Sequence, residues 1–232
     1  MTVALLIALD TSAGSTGAAL AGEGRVLASS LTTGTGRHSE SLFRQIEAVL
    51  AGAKKDKREI RAVAVTHGPG SFTGLRVGLA TAKGLAFGLS VKAIGVSSLR
   101  ALALGAGEFD GVIAAVLDAR KQQVYGALYD GKSFVEVSPE GAFDPGDFAK
   151  KALETGKKIL FTGSGTGAYR ETWRAVLGEN FATAPEEKWN IDPGVVALLG
   201  LAAFEAGRGV DPSELRPVYH RLSEAEEKAR KP

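Results

Sequence analysis

One stretch of this sequence limits the possible folds more than any other: an apolar run, a glycine-rich loop and a run of small residues follow one another directly. The apolar run at residues 63–66 predicts a buried strand, and residues 77–87 predict a helix. The loop between them, residues 67–76, contains Gly68 and Gly70, which permit close backbone approach. Such a unit can bind an anion at the helix N-terminus, and it can equally be a capped connection without a ligand. The residues alone leave both interpretations open.

The helix that follows the loop is unusually rich in small residues. Gly74, Gly78 and Ala82 lie four positions apart, which places them on one face of a helix. Each glycine costs a helix interior about 1 kcal/mol relative to alanine, so close packing has to compensate. The packing partner is either the chain's own sheet or a helix of another chain, beside the apolar helix predicted at residues 39–51. In the second case, Gly78→Leu would separate dimers and leave the monomer folded.

The order of the predicted elements indicates an internal duplication. Strand and helix patterns give the order β-β-β-α-β-α-β-α over residues 1–105. At Gly111 the plan restarts, because residues 112–118 form an apolar run ending in Leu-Asp, as residues 3–10 do. We therefore predict an α/β fold of two repeated subdomains, residues 1–105 and 106–232, with the second one reduced.

The second subdomain has weaker patterns than the first. Residues 130–137 predict a strand, residues 139–147 a polar loop, and residues 147–204 weaker helical and strand segments. The C-terminal helix of this subdomain can pack back on the first subdomain. Beyond Ser223 the chain is highly charged, which predicts a solvated tail.

Composition excludes several classes of function. With 28 Lys and Arg against 26 Asp and Glu, the net charge of +2 is too small for a general nucleic-acid binder. The absence of cysteine excludes disulfides, thiolate metal sites and cysteine nucleophiles. No apolar run approaches the roughly 20 residues that span a bilayer, and the apolar start at residues 3–9 lacks the basic region of a signal peptide. We expect a cytoplasmic protein without membrane contact.

Asp10 and Asp118, each at the end of an apolar run, are the candidate chemical groups. Paired carboxylates from two subdomains can hold a metal–nucleotide complex, and the small turn at residues 11–15 could cradle a phosphate. The turn at residues 119–125 is bulky and lacks glycine, which argues against a two-sided clamp. Either aspartate can instead cap a turn.

The histidines and serines form no catalytic constellation. His38, His67 and His220 have no partner at helical or zinc-site spacing, so we predict no metal site. The serines lack the nucleophile-elbow context of a serine hydrolase. These residue types therefore argue against a histidine metal site and against serine hydrolase chemistry.

Several motifs together resemble one family. The most specific are Gly-Pro-Gly-Ser-Phe-Thr-Gly-Leu-Arg at residues 68–76 and Ala-Lys-Gly-Leu-Ala at residues 82–86. The others stand at residues 9–12, 38–40, 95–99, 118–120 and 217–219. With these motifs the chain resembles the TsaB family, also called YeaZ, whose bacterial members are needed for the threonylcarbamoyladenosine modification of tRNA at position 37.

The resemblance implies an actin-like, ribonuclease-H-like duplicated fold and kinship with the catalytic subunit TsaD. That enzyme holds its metal with two histidines in a His-x-x-x-His pattern, and the matching positions here are Ser98 and Leu102. Neither residue can replace an imidazole ligand, so the resemblance implies a non-catalytic scaffold. It further implies a homodimer, a heterodimer with TsaD, and assembly with the ATPase TsaE. tRNA would be contacted only indirectly, no cofactor would be tightly bound, and ATP or ADP would have a place at the partner interface.

In this family the interface is a bundle of the first two helices of each partner, which correspond here to residues 38–51 and 73–88. The predicted interface residues are His38, Leu42, Ile46, Val49, Thr73, Gly74, Val77, Gly78, Thr81, Ala82 and Leu85. A weak nucleotide contact is predicted for Asp10, Thr11 and Ser12. The alternative function is an ATPase, kinase or metallopeptidase of the same superfold, with Asp10 as its key acid.

Overall fold

The computed structural model describes residues 4–34 and 38–221, except for the side chains of residues 38–40. The predictions for the side chain of His38 and for the charged tail beyond Ser223 therefore lie outside the described residues. Within the described part, two five-stranded mixed sheets are flanked by helices. Among these residues no helix is both long enough and apolar enough to cross a membrane.

The first sheet is built around a central apolar strand. Its strands are β1 (Leu5–Asp10), β2 (Ser15–Gly22), β3 (Arg25–Thr33), β4 (Ile60–Gly68) and β5 (Lys92–Ser97). Their spatial order is β3-β2-β1-β4-β5. The β1–β2 and β2–β3 pairs are antiparallel, whereas the β1–β4 and β4–β5 pairs are parallel. β1 is buried along its whole length, as its continuous apolar sequence predicts.

Two of the helices of the first half have a serine as N-cap residue. They are α1 (His38–Gly52), α2 (Phe72–Leu89) and α3 (Ser98–Ala106). The Ser71 hydroxyl accepts a hydrogen bond from the backbone of Gly74, and the Ser97 hydroxyl accepts one from Arg100. α2 ends at Leu89, and its C-cap residue Ser90 adopts the left-handed conformation at φ 55°.

The second half repeats the topology of the first. Its strands are β6 (Val112–Arg120), β7 (Gln123–Asp130), β8 (Glu136–Phe143), β9 (Ile159–Thr162) and β10 (Phe181–Thr183). The order β8-β7-β6-β9-β10, with two antiparallel and two parallel pairs, matches the first sheet strand for strand. The helices are α4 (Pro145–Leu153), α5 (Ser164–Ala168), α6 (Arg170–Leu177) and α7 (Pro193–Glu205). The predicted duplicated α/β fold is confirmed.

The strand and loop predicted after residue 130 were wrong. β7 ends at Asp130, whose carboxylate accepts hydrogen bonds from the backbone of Lys132 and Ser133 and so closes a turn. β8 then occupies most of the segment that was predicted as a polar loop. Pro139 and Gly141 argue against a central strand, but β8 is the edge of its sheet, where both residues are tolerated.

The last helix of the described chain, α7, packs on the first sheet against β1, β2 and β4. The approach is close, because a Cβ atom at Gly200 would lie 2.5 Å from the Cβ of Ala64. One apolar cluster contains residues of both sheets together with residues of α3 and α7. The subdomain boundary at residues 105 and 106 stays a prediction.

After α7 the chain runs back over the first sheet as a segment that we call the C-terminal strap, residues 210–221. Val210 pairs with Ala93 at the edge of β5. Leu215 is buried in the core between the first sheet and helices α1 and α2. The backbone N–H of Val218 donates to the carbonyl of His67 at 2.8 Å. The strap thereby reaches the glycine-rich loop.

Candidate functional site

The glycine-rich loop and the N-terminus of α2 are covered by the chain's own turn after β1. The Ser71 N–H donates to the carbonyl of Ser12 at 2.8 Å. The Thr11 hydroxyl donates to the carbonyl of Gly74 at 2.6 Å, while the N–H of Gly74 donates to the Ser71 hydroxyl. The chain itself therefore uses polar groups at this helix end that could otherwise hold an anion.

The glycines of this region allow that close contact. A Cβ atom at Gly70 would overlap the carbonyl oxygen of Ser12, and one at Gly74 would overlap that of Thr11. At Gly78 an added Cβ would lie 2.5 Å from the Thr11 hydroxyl oxygen. The small-residue face of α2 thus packs against the chain's own turn and sheet.

This packing bears on part of the predicted interface. Gly74, Gly78 and Ala82 are buried within the monomer, so of the two packing partners that the sequence left open the structure shows the chain's own turn and sheet. Their assignment as interface residues stays a prediction. The predicted interface residues of α1 are likewise buried, in the core between α1 and the first sheet; they are Leu42, Ile46 and Val49. The same cause explains the burial on both helices. α1 packs its apolar row against the first sheet, and α2 packs its small-residue row against the same sheet.

Of the remaining predicted interface residues, Thr73 is exposed and Val77 and Thr81 are half-buried. Leu85 is also half-buried, but it packs against the core between the first sheet, α1 and α2. Thr73, Val77 and Thr81 belong to a surface that we call the outer face, formed by the solvent-facing sides of α1 and α2. Its further members are Phe43, Ala48, Ala80, Gly84, Phe87 and Gly88.

The outer face presents large apolar groups to solvent. Phe43 on α1 is 58% exposed and Phe87 on α2 is 57% exposed. Beside Phe87 on α2 the surface is low, because a Cβ atom at Gly84 or Gly88 would meet nothing within 4 Å. Neither phenylalanine was among the predicted interface residues, and Phe43 was assigned to the apolar stripe of the first helix. Phe43 stands one position after Leu42, about 100° further around the helix, and so lies at the edge of that stripe, where the structure leaves it exposed.

Asp10 is buried, and the structure explains its place by local hydrogen bonds. One carboxylate oxygen accepts from the Ser12 N–H at 3.1 Å, the Ser12 hydroxyl at 2.7 Å and the Thr66 hydroxyl at 2.6 Å. These bonds join the ends of β1 and β4. Asp10, Thr11 and Ser12 are each at most 1% exposed, so the predicted nucleotide contact would require the turn to separate from α2.

Asp118 follows the apolar run of β6, as Asp10 follows that of β1, and lies two residues before the end of its strand. Its carboxylate accepts from the N–H of Arg120 at 2.9 Å and from the Tyr169 hydroxyl at 3.3 Å. Both aspartates therefore stabilise turns. Within residues 4–34 and 38–221 no group of three or more His, Cys, Asp or Glu side chains could hold a metal ion.

Ser98 and Leu102, at the positions matched to the TsaD histidine pair, lie inside the protein. Both side chains are at most 1% exposed, on the buried side of α3. A hydroxyl and an isobutyl group in these positions supply no imidazole nitrogen for a divalent metal.

A second glycine-rich segment was missed at residues 163–167, Gly-Ser-Gly-Thr-Gly, which follows β9 directly and forms most of α5. Its glycines are explained by packing within the chain. Gly163 adopts φ 100°, and a Cβ at Gly167 would lie 3.0 Å from the Trp189 ring. The Trp173 indole N–H donates to the carbonyl of Gly165 at 3.1 Å. The strand–glycine–helix pattern was a sufficient signal to find this segment.

His67 lies at the end of β4, packed closely against Gly95 of β5. Burial lowers the pKa of His67 below its ordinary value of 6.5. The charge of Glu140 and a hydrogen bond with the backbone of Arg216 act in the opposite direction, but burial is the larger cause.

We predict that protonation of His67 destabilises the folded protein in acid. Because the pKa of the imidazole is lower in the folded state, the unfolded state binds the proton more readily. The stability that neutral His67 contributes is complete above pH 6.5 and decreases as the pH falls from 6.5 toward the lowered pKa. The urea concentration at the midpoint of unfolding should decrease when the pH is lowered from about 7.5 to about 5.5. This decrease should be larger in the wild type than in His67→Gln. Equal decreases in the two proteins would contradict the prediction.

Comparison with known proteins gives a consistent result. A family model described as "TsaD: tRNA N6-adenosine threonylcarbamoyltransferase" matches residues 26–191. The chain is 32% identical to the tRNA threonylcarbamoyladenosine biosynthesis protein TsaB of Bacillus subtilis over 225 residues, 96% of each chain. It is 27% identical to the protein of the same name from Escherichia coli, over 93% of this chain and 94% of that protein.

A solved structure agrees with the sequence matches. The structure titled "YeaZ from Pseudomonas aeruginosa" superposes with a TM-score of 0.78 at 29% sequence identity. The match covers 93% of this chain and 99% of that one. The similarity therefore extends over both sheets.

Proposed function

The chain belongs to the TsaB family of tRNA threonylcarbamoyladenosine biosynthesis proteins, and we propose that it acts there as a non-catalytic subunit. In this role it binds and stabilises the catalytic subunit TsaD and assembles with TsaE in a cytoplasmic complex that modifies position 37 of tRNA. ATP or ADP at the interface with TsaD, a homodimer of the isolated protein, and only indirect contact with tRNA belong to the same proposal.

The observation that carries this proposal is the outer face of α1 and α2. Phe43 and Phe87 are large, mostly exposed apolar side chains on two neighbouring helices of one sheet. Exposed aromatic groups beside small residues are typical of surfaces that bind another protein. Helices with such surfaces can approach a partner closely where glycine leaves the backbone uncovered, as at Gly84.

The non-catalytic role is supported by the way in which the candidate acids are used. Asp10 is buried and joined to Ser12 and Thr66, and Asp118 accepts from its own turn. An ATPase, kinase or metallopeptidase of this fold, the alternative function, needs a carboxylate that can reach a metal or phosphate. Asp10 does not meet that requirement without rearrangement of its turn, and Asp118, which is partly exposed, is held by Arg120 and Tyr169.

Reconstitution of the modification tests the proposal. The TsaD enzyme and TsaE of the same organism, with tRNA, ATP and the threonylcarbamoyl donor, should form modified tRNA only when this protein is added. Mass spectrometry of digested tRNA measures the product, and this protein without TsaD should form none. Asp10→Asn keeps an oxygen that can accept the three hydrogen bonds of Asp10, so it should support full modification. Loss of the product in a folded Asp10→Asn protein would favour the enzymatic alternative.

A further inference from the structure

The C-terminal strap contacts the first half of the molecule through closely packed groups at Gly68, Phe72 and Leu215, which we call the seat of the strap. Gly68 adopts φ 130°, and a Cβ atom there would overlap the carbonyl oxygen of Val218. The Tyr219 ring stacks on Phe72, at the start of α2, with ring centroids 4.8 Å apart. Together with the burial of Leu215, these contacts fix the strap to the first sheet and to α2.

The same strap contacts the second half with its next two residues. The His220 Nε2 atom lies 3.5 Å from a carboxylate oxygen of Glu140 on β8. The Arg221 guanidinium donates to the carbonyl of Ala119 on β6 at 2.8 Å. Residues 218–221 therefore join elements of both sheets within four positions.

Glu140 connects this contact to a wider polar cluster. Its carboxylate also accepts from the Ser97 hydroxyl, at the N-terminus of α3, and from the Tyr129 hydroxyl at 3.3 Å. Burial, with the nearby charge of Glu140, raises the pKa of Tyr129, so this hydroxyl stays a hydrogen-bond donor. His220 of the strap thus meets a polar cluster that joins Ser97, at the end of β5 on the first sheet, to groups of β7 and β8 on the second sheet.

We propose that the strap is a clasp that fixes the second sheet relative to the first at the carboxyl ends of β4 and β6. The seat on the first sheet is apolar and fitted, whereas the contacts with the second sheet depend on His220 and Arg221. Removing these two side chains leaves the strap on the first sheet and removes its side-chain contacts with the second. The shared core and the hydrogen bond between Ser97 and Glu140 then still join the halves, with a less defined angle between them. This inference goes beyond the proposed function and does not depend on it.

A distance measurement between the two halves tests the clasp. Because the chain has no cysteine, Lys57→Cys and Glu171→Cys place one spin label on each half, both at exposed positions. Double electron–electron resonance on this doubly labelled protein should give one narrow distribution of distances between the two labels. In the added His220→Ala/Arg221→Ala pair we expect a broader or displaced distribution at unchanged helical content. The matched control is Arg216→Ala, whose side chain is exposed and hydrogen-bonds only within the strap, and it should not change the distribution.

An unchanged distribution in the folded double variant would overturn the proposal. If that variant fails to fold, Glu140→Gln replaces it, because the amide keeps the shape of the side chain but removes its charge. Glu140→Gln should broaden the distribution to a smaller extent, and an unchanged distribution there would equally overturn the clasp.

Discussion

Gly78→Leu is expected to destabilise the folded monomer rather than to separate two subunits. A Cβ atom at this position already lies 2.5 Å from the Thr11 hydroxyl oxygen and 3.4 Å from a methyl group of Val65. An isobutyl group would have to push α2 away from the turn that covers its N-terminus. We expect a loss of about 3 kcal/mol in the free energy of unfolding, the upper end for overpacked interiors. Urea unfolding followed by circular dichroism measures it.

The same substitution at Gly84 is the matched control. An added side chain there meets nothing within 4 Å, and leucine favours a helix over glycine by about 0.5–1 kcal/mol. Gly84→Leu should therefore be at least as stable as the wild type. If Gly78→Leu has the same free energy of unfolding as the wild type, the small-residue face does not pack inward. In that case the substitution should instead separate dimers, as one alternative from the sequence predicts.

Gly84→Arg is expected to weaken binding to the TsaD enzyme of the same organism by about 100-fold, which corresponds to about 2.7 kcal/mol. The substitution places a charge in the middle of the outer face, between Ala80 and Phe87. A charge that a bound partner buries without a counter-charge is destabilising by several kcal/mol. Isothermal titration calorimetry measures the affinity. The melting temperature should stay near that of the wild type, because the position is open in the monomer.

Ala175→Arg controls for the added charge. Ala175 is an exposed helical residue of α6, on the second half of the chain, so the substitution changes the net charge equally but leaves the outer face intact. It should not alter the affinity for TsaD. Equal affinities for the wild type and Gly84→Arg would show that the partner binds elsewhere.

The sequence predicts most of the first half correctly for a physical reason. β1 and β4 are continuous apolar runs, and α1 carries an apolar row at helical spacing, so local pattern and tertiary environment agree. β8 shows the opposite case. Its Pro139 and Gly141 are unfavourable locally, and only its position at the sheet edge makes a strand possible.

The orientation of α2 could not be derived from its sequence. The row of Gly74, Gly78 and Ala82 and the row that contains Ala80, Gly84 and Gly88 are both small, so spacing alone does not tell which one faces the sheet. The choice depends on the turn at Thr11 and Ser12, more than 60 positions away along the chain. The aromatic residues on the outer row carry the better signal, because a Phe in a solvent-facing position of a helix requires an explanation.

The residues that contact the histidines could not be derived from the sequence either. His67 and His220 have no neighbour at a recognisable spacing, and the fold supplies Gly95 and Glu140 from distant strands. The strap that brings these groups together is an irregular segment, which periodicity does not reveal.

The mass of the complex in solution tests the central claim most directly. Size-exclusion chromatography with light scattering, applied to this protein mixed with the TsaD enzyme of the same organism, should show one species with the summed mass of both chains. Gly84→Arg should abolish that species, and Ala175→Arg should retain it. Two separate species, in a mixture that nevertheless modifies tRNA, would contradict the account of this protein as a binding subunit.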